Sequence, residues 1–132
     1  MFKEAVYDGF QRTVSETLLF NRSVLEVLAK THEATARLNR AVIKSVTGCG
    51  CLKISAGKKE IPPGATLADL RQLLGSHLEG EICEDCREVV ESAIGRSLFY
   101  LAALCNLLNL SLKDIMEKEQ KYMRILGIYN LA

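Results

Sequence analysis

Between Gly9 and Gly48 the chain contains neither Gly nor Pro, and Val24, Val27, Leu28, Ala34, Leu38, Val42 and Val46 recur at the three- and four-residue steps of one helix face. That pattern predicts a long amphipathic helix. Ser23 followed by Glu26 has capping-box spacing, so a break is expected near Asn21, dividing a first helix, Lys3 to Phe20, from a second, Val24 to Thr47. A single continuous helix is the alternative. From Gly48 to Ala65 the period stops: three Gly precede Lys58, a Pro-Pro-Gly turn follows, and short runs around Ala56 and Gly57 could pair as a small hairpin.

Helices then resume. Thr66 and Asp69 are a cap pair for LADLRQLLGSH, with Gly80 expected as a connector. From Asp85 to Asn109 the positions Val90, Ile94, Leu98, Leu101, Cys105 and Leu108 form a stripe expected at the centre of a bundle. Ser111 and Asp114 open a final helix, LKDIMEKEQKYMRIL, that stops at Gly127. The expectation is an all-α bundle of about five helices, a single domain over residues 1–132, with an irregular cysteine-bearing insertion at 48–65 between the second and third helices.

Composition narrows the partners. The chain is 132 residues long, 48% hydrophobic and 25% charged, which suits one globular core. Seventeen Lys and Arg against sixteen Asp and Glu leave a net charge of +1, so neither nucleic acid nor an anionic membrane is an expected partner. MFKEAVYDGF carries charges where a signal peptide needs an apolar run, and LFYLAALCNLLNL is too short to span a bilayer, which points to a cytoplasmic protein. Five Cys in that setting are expected to be reduced, metal-bound or catalytic rather than a disulfide framework.

Four of them come as two close pairs. Cys83 and Cys86 fall in the first turn of the core helix, where unpaired N–H groups and the helix dipole favour thiolates. Cys49 and Cys51 lie in TGCGCLK, where Gly48 and Gly50 permit the tight turn that two neighbouring ligands need. Thirty-one residues lie between Cys51 and Cys83, and two pairs of thiols suit tetrahedral zinc. A structural zinc site of Cys49, Cys51, Cys83 and Cys86 is therefore the expectation. An iron–sulfur cluster, a thiol–disulfide switch and unrelated free thiols are the alternatives. Cys105, inside the apolar stripe, reads as a small buried side chain.

GRSLFYLAALCNLLNLSLKDIMEKEQKYMR resembles the second half of the MazG-like all-α nucleoside-triphosphate pyrophosphohydrolases, where a Gly-Asp-Leu-Leu-Phe-x-Leu helix precedes a short turn and a Lys-bearing helix. THEATARLNRAVIK is similar to that family's Glu-Glu-x-x-Glu-Leu-x-x-Ala-Ile helix. The resemblance covers about residues 24–47 and 87–124, and implies a helical, commonly oligomeric protein that uses magnesium to hydrolyse nucleoside triphosphates to monophosphates and pyrophosphate. Aligned on Leu38 and on Leu98-Phe99, however, the family's acids fall on Glu33, Ala34, Arg37, Ala93 and Arg96. Only Glu33 is acidic, and two guanidiniums repel a divalent cation from the same pocket.

Two functions of different class follow. In the first, the chain is a non-catalytic MazG-like protein whose metal-clamped helices serve binding or assembly, as a homo-oligomer, with Arg37 and Arg96 available to a nucleotide or other phosphate-bearing ligand. Salt bridging to Glu33 or Glu88 is the plainer role for those arginines. In the second, it is an active pyrophosphohydrolase whose magnesium site is rebuilt from Glu26, Glu33, Glu88 and Glu91, the last two sharing the Glu-x-x-Glu spacing. His32 and His77 lack a neighbouring nucleophile and read as structural, and GKKE reads as a solvated loop. Tyr122, Ile125, Ile128, Tyr129 and Leu131 keep the last stretch apolar, as expected of a tail packed between subunits.

Overall fold

The computed structural model describes residues 6–18 and 23–127. Its elements are α1 (Val6–Thr17), α2 (Val24–Lys44), a π-helical turn (Ser45–Cys49), β1 (Leu52–Ile54), α3 (Leu67–Leu73), β2 (Leu78–Gly80), α4 (Glu84–Leu108) and α5 (Leu112–Leu126). The protein is all-α, with five α-helices and one two-stranded ribbon among the described residues. No single helix among them is long and apolar enough to cross a membrane.

Local chemistry sets the helix ends. The Ser23 hydroxyl accepts a hydrogen bond from the Leu25 N–H at 3.2 Å at the start of α2, although the expected break near Asn21 and the outer ends of the first helix lie outside the described residues. Thr66 and Asp69 form the full capping box on α3, each side chain accepting from the other's backbone N–H at 3.2 and 3.0 Å. Ser111 accepts from Asp114 N–H at 3.2 Å to start α5, and Gly127 ends it, both as expected.

The chain divides into two compact units. The first holds the described residues up to Arg37 and from Ala93 onward. Its core is Val14 of α1, Val27 of α2 and Ala102 and Ala103 of α4, with Phe10, Leu18, Phe99, Leu104 and Leu112 packed around them. Gln11 ties α1 to the α4–α5 turn: its amide donates to Asn106 Oδ1 at 2.9 Å and to the Leu110 carbonyl at 2.7 Å, while its Oε1 accepts from Leu112 N–H at 2.8 Å. Cys105 is buried here, as expected.

Of the stripe expected at the centre of the bundle, Cys105 is buried and Val90 half-buried, while the larger side chains are not. Ile94, Leu98, Leu101 and Leu108 are 44, 46, 42 and 53% exposed, and the α4 residues that enter the core are the neighbouring Ala102 and Ala103. Val14, Val27, Ala102 and Ala103 fill the chain's own core on that side, and the larger side chains stay outside it.

The second unit runs from Leu38 to Ser92. No local hairpin forms around Ala56 and Gly57. β1 instead pairs antiparallel with the distant β2, Leu52 opposite Gly80, Lys53 opposite Glu79 and Ile54 opposite Leu78, and Ser55 N–H donates to the His77 carbonyl at 2.7 Å. Gly57 and the two prolines are poor strand residues, proline having no N–H to give a ladder, so pairing skips that segment. Gly80, expected as a plain connector, ends β2 with φ of 85°, and a Cβ on it would sit 2.5 Å from the Cys51 carbonyl oxygen. Ser45 is the one buried residue of this unit, and no apolar side chain in it is buried.

Candidate metal centre

Four thiols meet inside the second unit, one pair delivered by the end of α2 and the other by the start of α4. Helix α2 continues past Lys44 as a π-turn in which the Gly50 N–H donates to the Ser45 carbonyl at 3.0 Å, and Gly50 takes a left-handed φ of 83°. The extra residue per turn and the reversal at Gly50 set Cys49 and Cys51 side by side. Cys51 leads directly into β1, and the ribbon register brings the chain back at Gly80, three residues before Cys83.

Cys83 immediately precedes α4 and occupies its N-cap position. Its carbonyl accepts the Arg87 N–H at 2.8 Å, and its sulfur accepts the Cys86 N–H at 3.5 Å, the role a Ser or Asp oxygen fills elsewhere. Cys86 comes one turn into the same helix.

All four sulfurs lie within 4.8 Å of one another, and Cys49 and Cys83 are 3.8 Å apart. A disulfide would bring that pair to about 2.05 Å. Four sulfurs held about 2.3 Å from a central ion stand about 3.8 Å apart along each tetrahedral edge, so the Cys49–Cys83 separation fits one such edge and the set as a whole is compact enough to close on one ion. The four cysteines can hold a metal ion, and among the described residues they are the one such group of His, Cys, Asp or Glu donors. Cys49 is exposed and the other three half-buried.

The sulfurs also set one another's protonation. Cys83 is lowered to about 7, first by the Cys86 backbone N–H and then by the other thiols. Cys86 accepts help from Ser45 that pulls it down, but the adjoining Cys83, burial, Cys51 and Cys49 outweigh it and push it up to about 12. At Cys49 the Cys51 N–H pulls down, and the neighbouring Cys83 prevails in raising it. A polarised first thiolate beside reluctant neighbours is what a cluster of acids sharing one space produces, and a cation at its centre relieves that crowding.

No family model, curated protein or solved structure matches the chain. A four-thiolate set fills a tetrahedron and leaves no position for substrate.

The remaining candidates sit elsewhere. Glu33 stands between Lys30 at 3.6 Å and Arg37 at 3.1 Å, and the Arg96 guanidinium lies 6.0 Å from the centre of the Phe99 ring. Arg37 thus has the salt bridge that sequence offers it as the plainer role, whereas the Arg96 contact with Phe99 was not foreseen, although their i, i+3 spacing on a helix permits it. Glu26 is exposed in the first turn of α2, in the first unit, and Glu88 and Glu91 are exposed on α4 in the second. His32 is exposed, and His77 is half-buried with φ of 63° at the start of β2, where its carbonyl serves the ribbon. Sequence reasoning missed Ser45, whose hydroxyl donates to the Ala41 carbonyl at 3.1 Å and whose carbonyl lies 3.7 Å from the Cys51 sulfur. Its spacing four residues before Cys49 was the available signal.

Proposed function

We propose that this is a zinc-stabilised helical scaffold protein, in which Cys49, Cys51, Cys83 and Cys86 hold one structural Zn²⁺ and the helices serve binding or assembly without catalysis. One observation carries it: a unit running from Leu38 to Ser92 buries no apolar side chain, yet brings four thiols within 4.8 Å of one another. A unit of that size without a core needs a cross-link, and a metal supplies one. Zinc is the ion of choice because four sulfurs in a tetrahedron suit its borderline-soft, redox-inert character, while a multi-iron cluster would force the sulfurs wider apart than a single ion does.

The scaffold is MazG-like in this reading, with the chemistry of that family absent. Glu33, the one acid kept at an aligned position, is engaged by Lys30 and Arg37, which supports a structural use for it. Purified protein is expected to carry one zinc per chain and to lose it in Cys83→Ser, and to release no pyrophosphate from nucleoside triphosphates with magnesium. Metal-free, fully folded protein would sink the zinc assignment. Turnover abolished by Glu33→Gln would overturn the non-catalytic one and recruit Glu26, Glu88 and Glu91 to a rebuilt site.

A further inference from the structure

The four sulfurs of the metal centre do not meet solvent equally. Cys49 is exposed, whereas Cys51, Cys83 and Cys86 are half-buried. A metal-bound cysteine is a thiolate, and the thiolate is the form that an oxidant attacks. Reagents in solution therefore meet the Cys49 sulfur first. The Cys83 sulfur stands 3.8 Å from it, so a disulfide between them asks for a closing of roughly 1.8 Å.

The other pairings are handicapped by position. Cys49 and Cys51 are two residues apart, and a disulfide between them closes a small ring through two peptide bonds, far from unstrained geometry. A bond between Cys83 and Cys86 links two residues already held by one helix start, and leaves out Cys49, the sulfur that the oxidant reaches.

We propose, on the metal reading given above, that the centre is a peroxide-operated release for its ion, in which oxidation joins Cys49 to Cys83. In the first step the Cys49 sulfur attacks one oxygen of hydrogen peroxide; an S–O bond forms, the O–O bond breaks and hydroxide departs, leaving a sulfenic acid. In the second, the Cys83 thiolate forms the S–S bond to Cys49 and expels the second hydroxide. Each hydroxide takes a proton from solvent to become water. Two electrons pass from the two sulfurs to the peroxide, and zinc keeps its oxidation state. Left with Cys51 and Cys86 alone, the ion has lost half its ligands.

The oxidised unit is still tied. Cys49 and Cys83 are 34 positions apart and flank the excursion that carries β1, α3 and β2, so their disulfide closes that excursion as the ion did. Oxidation and chelation both remove the metal, but the first leaves the excursion closed and the second leaves it open.

Titration of the full, zinc-loaded chain with hydrogen peroxide tests this, with released zinc read by a colorimetric indicator and the products mapped by peptide mass after alkylation of the remaining thiols. About one zinc per disulfide is expected, with Cys49–Cys83 as the main linkage, with Cys51, Cys86 and the buried Cys105 alkylated, and with zinc binding restored by dithiothreitol. Ribbon amides at Lys53 and Glu79 should exchange about tenfold or more slowly in the oxidised chain than in the chelated, reduced one. Four results would overturn the proposal while leaving the zinc assignment intact: a main linkage of Cys83–Cys86 or Cys49–Cys51, zinc retained through excess peroxide, sulfinic acid that dithiothreitol does not reverse, or ribbon exchange as fast after oxidation as after chelation. A reduced chain that binds no zinc would remove both.

Discussion

At the level of single residues, Cys83 has the most to do. It caps α4, accepts the Cys86 N–H and stands a tetrahedral edge from Cys49. Held at about 7, it ionises before Cys49 and Cys86 as pH rises, so in metal-free protein its alkylation by iodoacetamide is expected to climb through about pH 7, well ahead of that of Cys86, which is pushed up to about 12. Peptide mass mapping of partially alkylated protein reads that order, and equal labelling of Cys83 and Cys86 would refute it. Bound zinc should suppress the reaction at each of the four. Two glycines give a second contrast at this scale. Gly80→Ala places a methyl 2.5 Å from the Cys51 carbonyl on a left-handed backbone, and is expected to destabilise by about 1–3 kcal/mol and to weaken metal binding. Gly95→Ala meets open space in an α-helix and should hold or raise the stability of the isolated chain by up to about 1 kcal/mol. Urea titration of both variants with equal zinc loading measures the difference.

Elements are held by a few polar side chains at their ends. Gln11 makes three hydrogen bonds to the α4–α5 turn, and at about 1 kcal/mol net for each, less what water returns, Gln11→Ala is expected to cost about 2 kcal/mol and to fray the start of α5 in hydrogen exchange. On α3 the two Thr66 hydrogen bonds, from backbone and side chain, hold the Asp69 carboxyl below its ordinary value. Its cap therefore contributes fully above the usual carboxylate range and is lost as pH falls through the lowered value. Protection of the α3 amides should fall with acid in that window, and Asp69→Asn should flatten the profile. Both caps were legible in the sequence because a Ser or Thr three residues before an Asp bonds locally, whatever the rest of the chain does. The ribbon was not. Three-residue strands carry too little period-2 signal to announce a partner some two dozen residues away, so the nearer runs around Ala56 and Gly57 looked the better pair. The α4 stripe was legible as an apolar face, but periodicity alone does not say which of its residues the rest of the chain covers, which is why Leu98 and Leu101 could be read as core and prove exposed.

On the scale of the whole chain, the two units are stabilised by different means, and that difference can be measured. The first has Val14, Val27, Ala102 and Ala103 closed over by aromatic and aliphatic neighbours. The second has a two-stranded ribbon, the short capped helix α3, a buried serine and four thiols. The thiol pairs were visible from spacing alone, since ligands two and three residues apart stay together in any fold. Their convergence needed the π-turn and the β1–β2 register, neither of which has a sequence signature. If the metal closes the excursion between Cys51 and Cys83, then chelation removes the constraint that keeps a coreless unit folded. Amides of the ribbon and the π-turn should lose protection by orders of magnitude when zinc is stripped, while those of α1 around Val14 and of α4 around Ala102 keep theirs. Uniform loss across both sets would mean that the metal supports the entire chain. Unchanged protection at Lys53 and Glu79 would mean that the ribbon holds without it, and that the four thiols are there for chemistry other than structure.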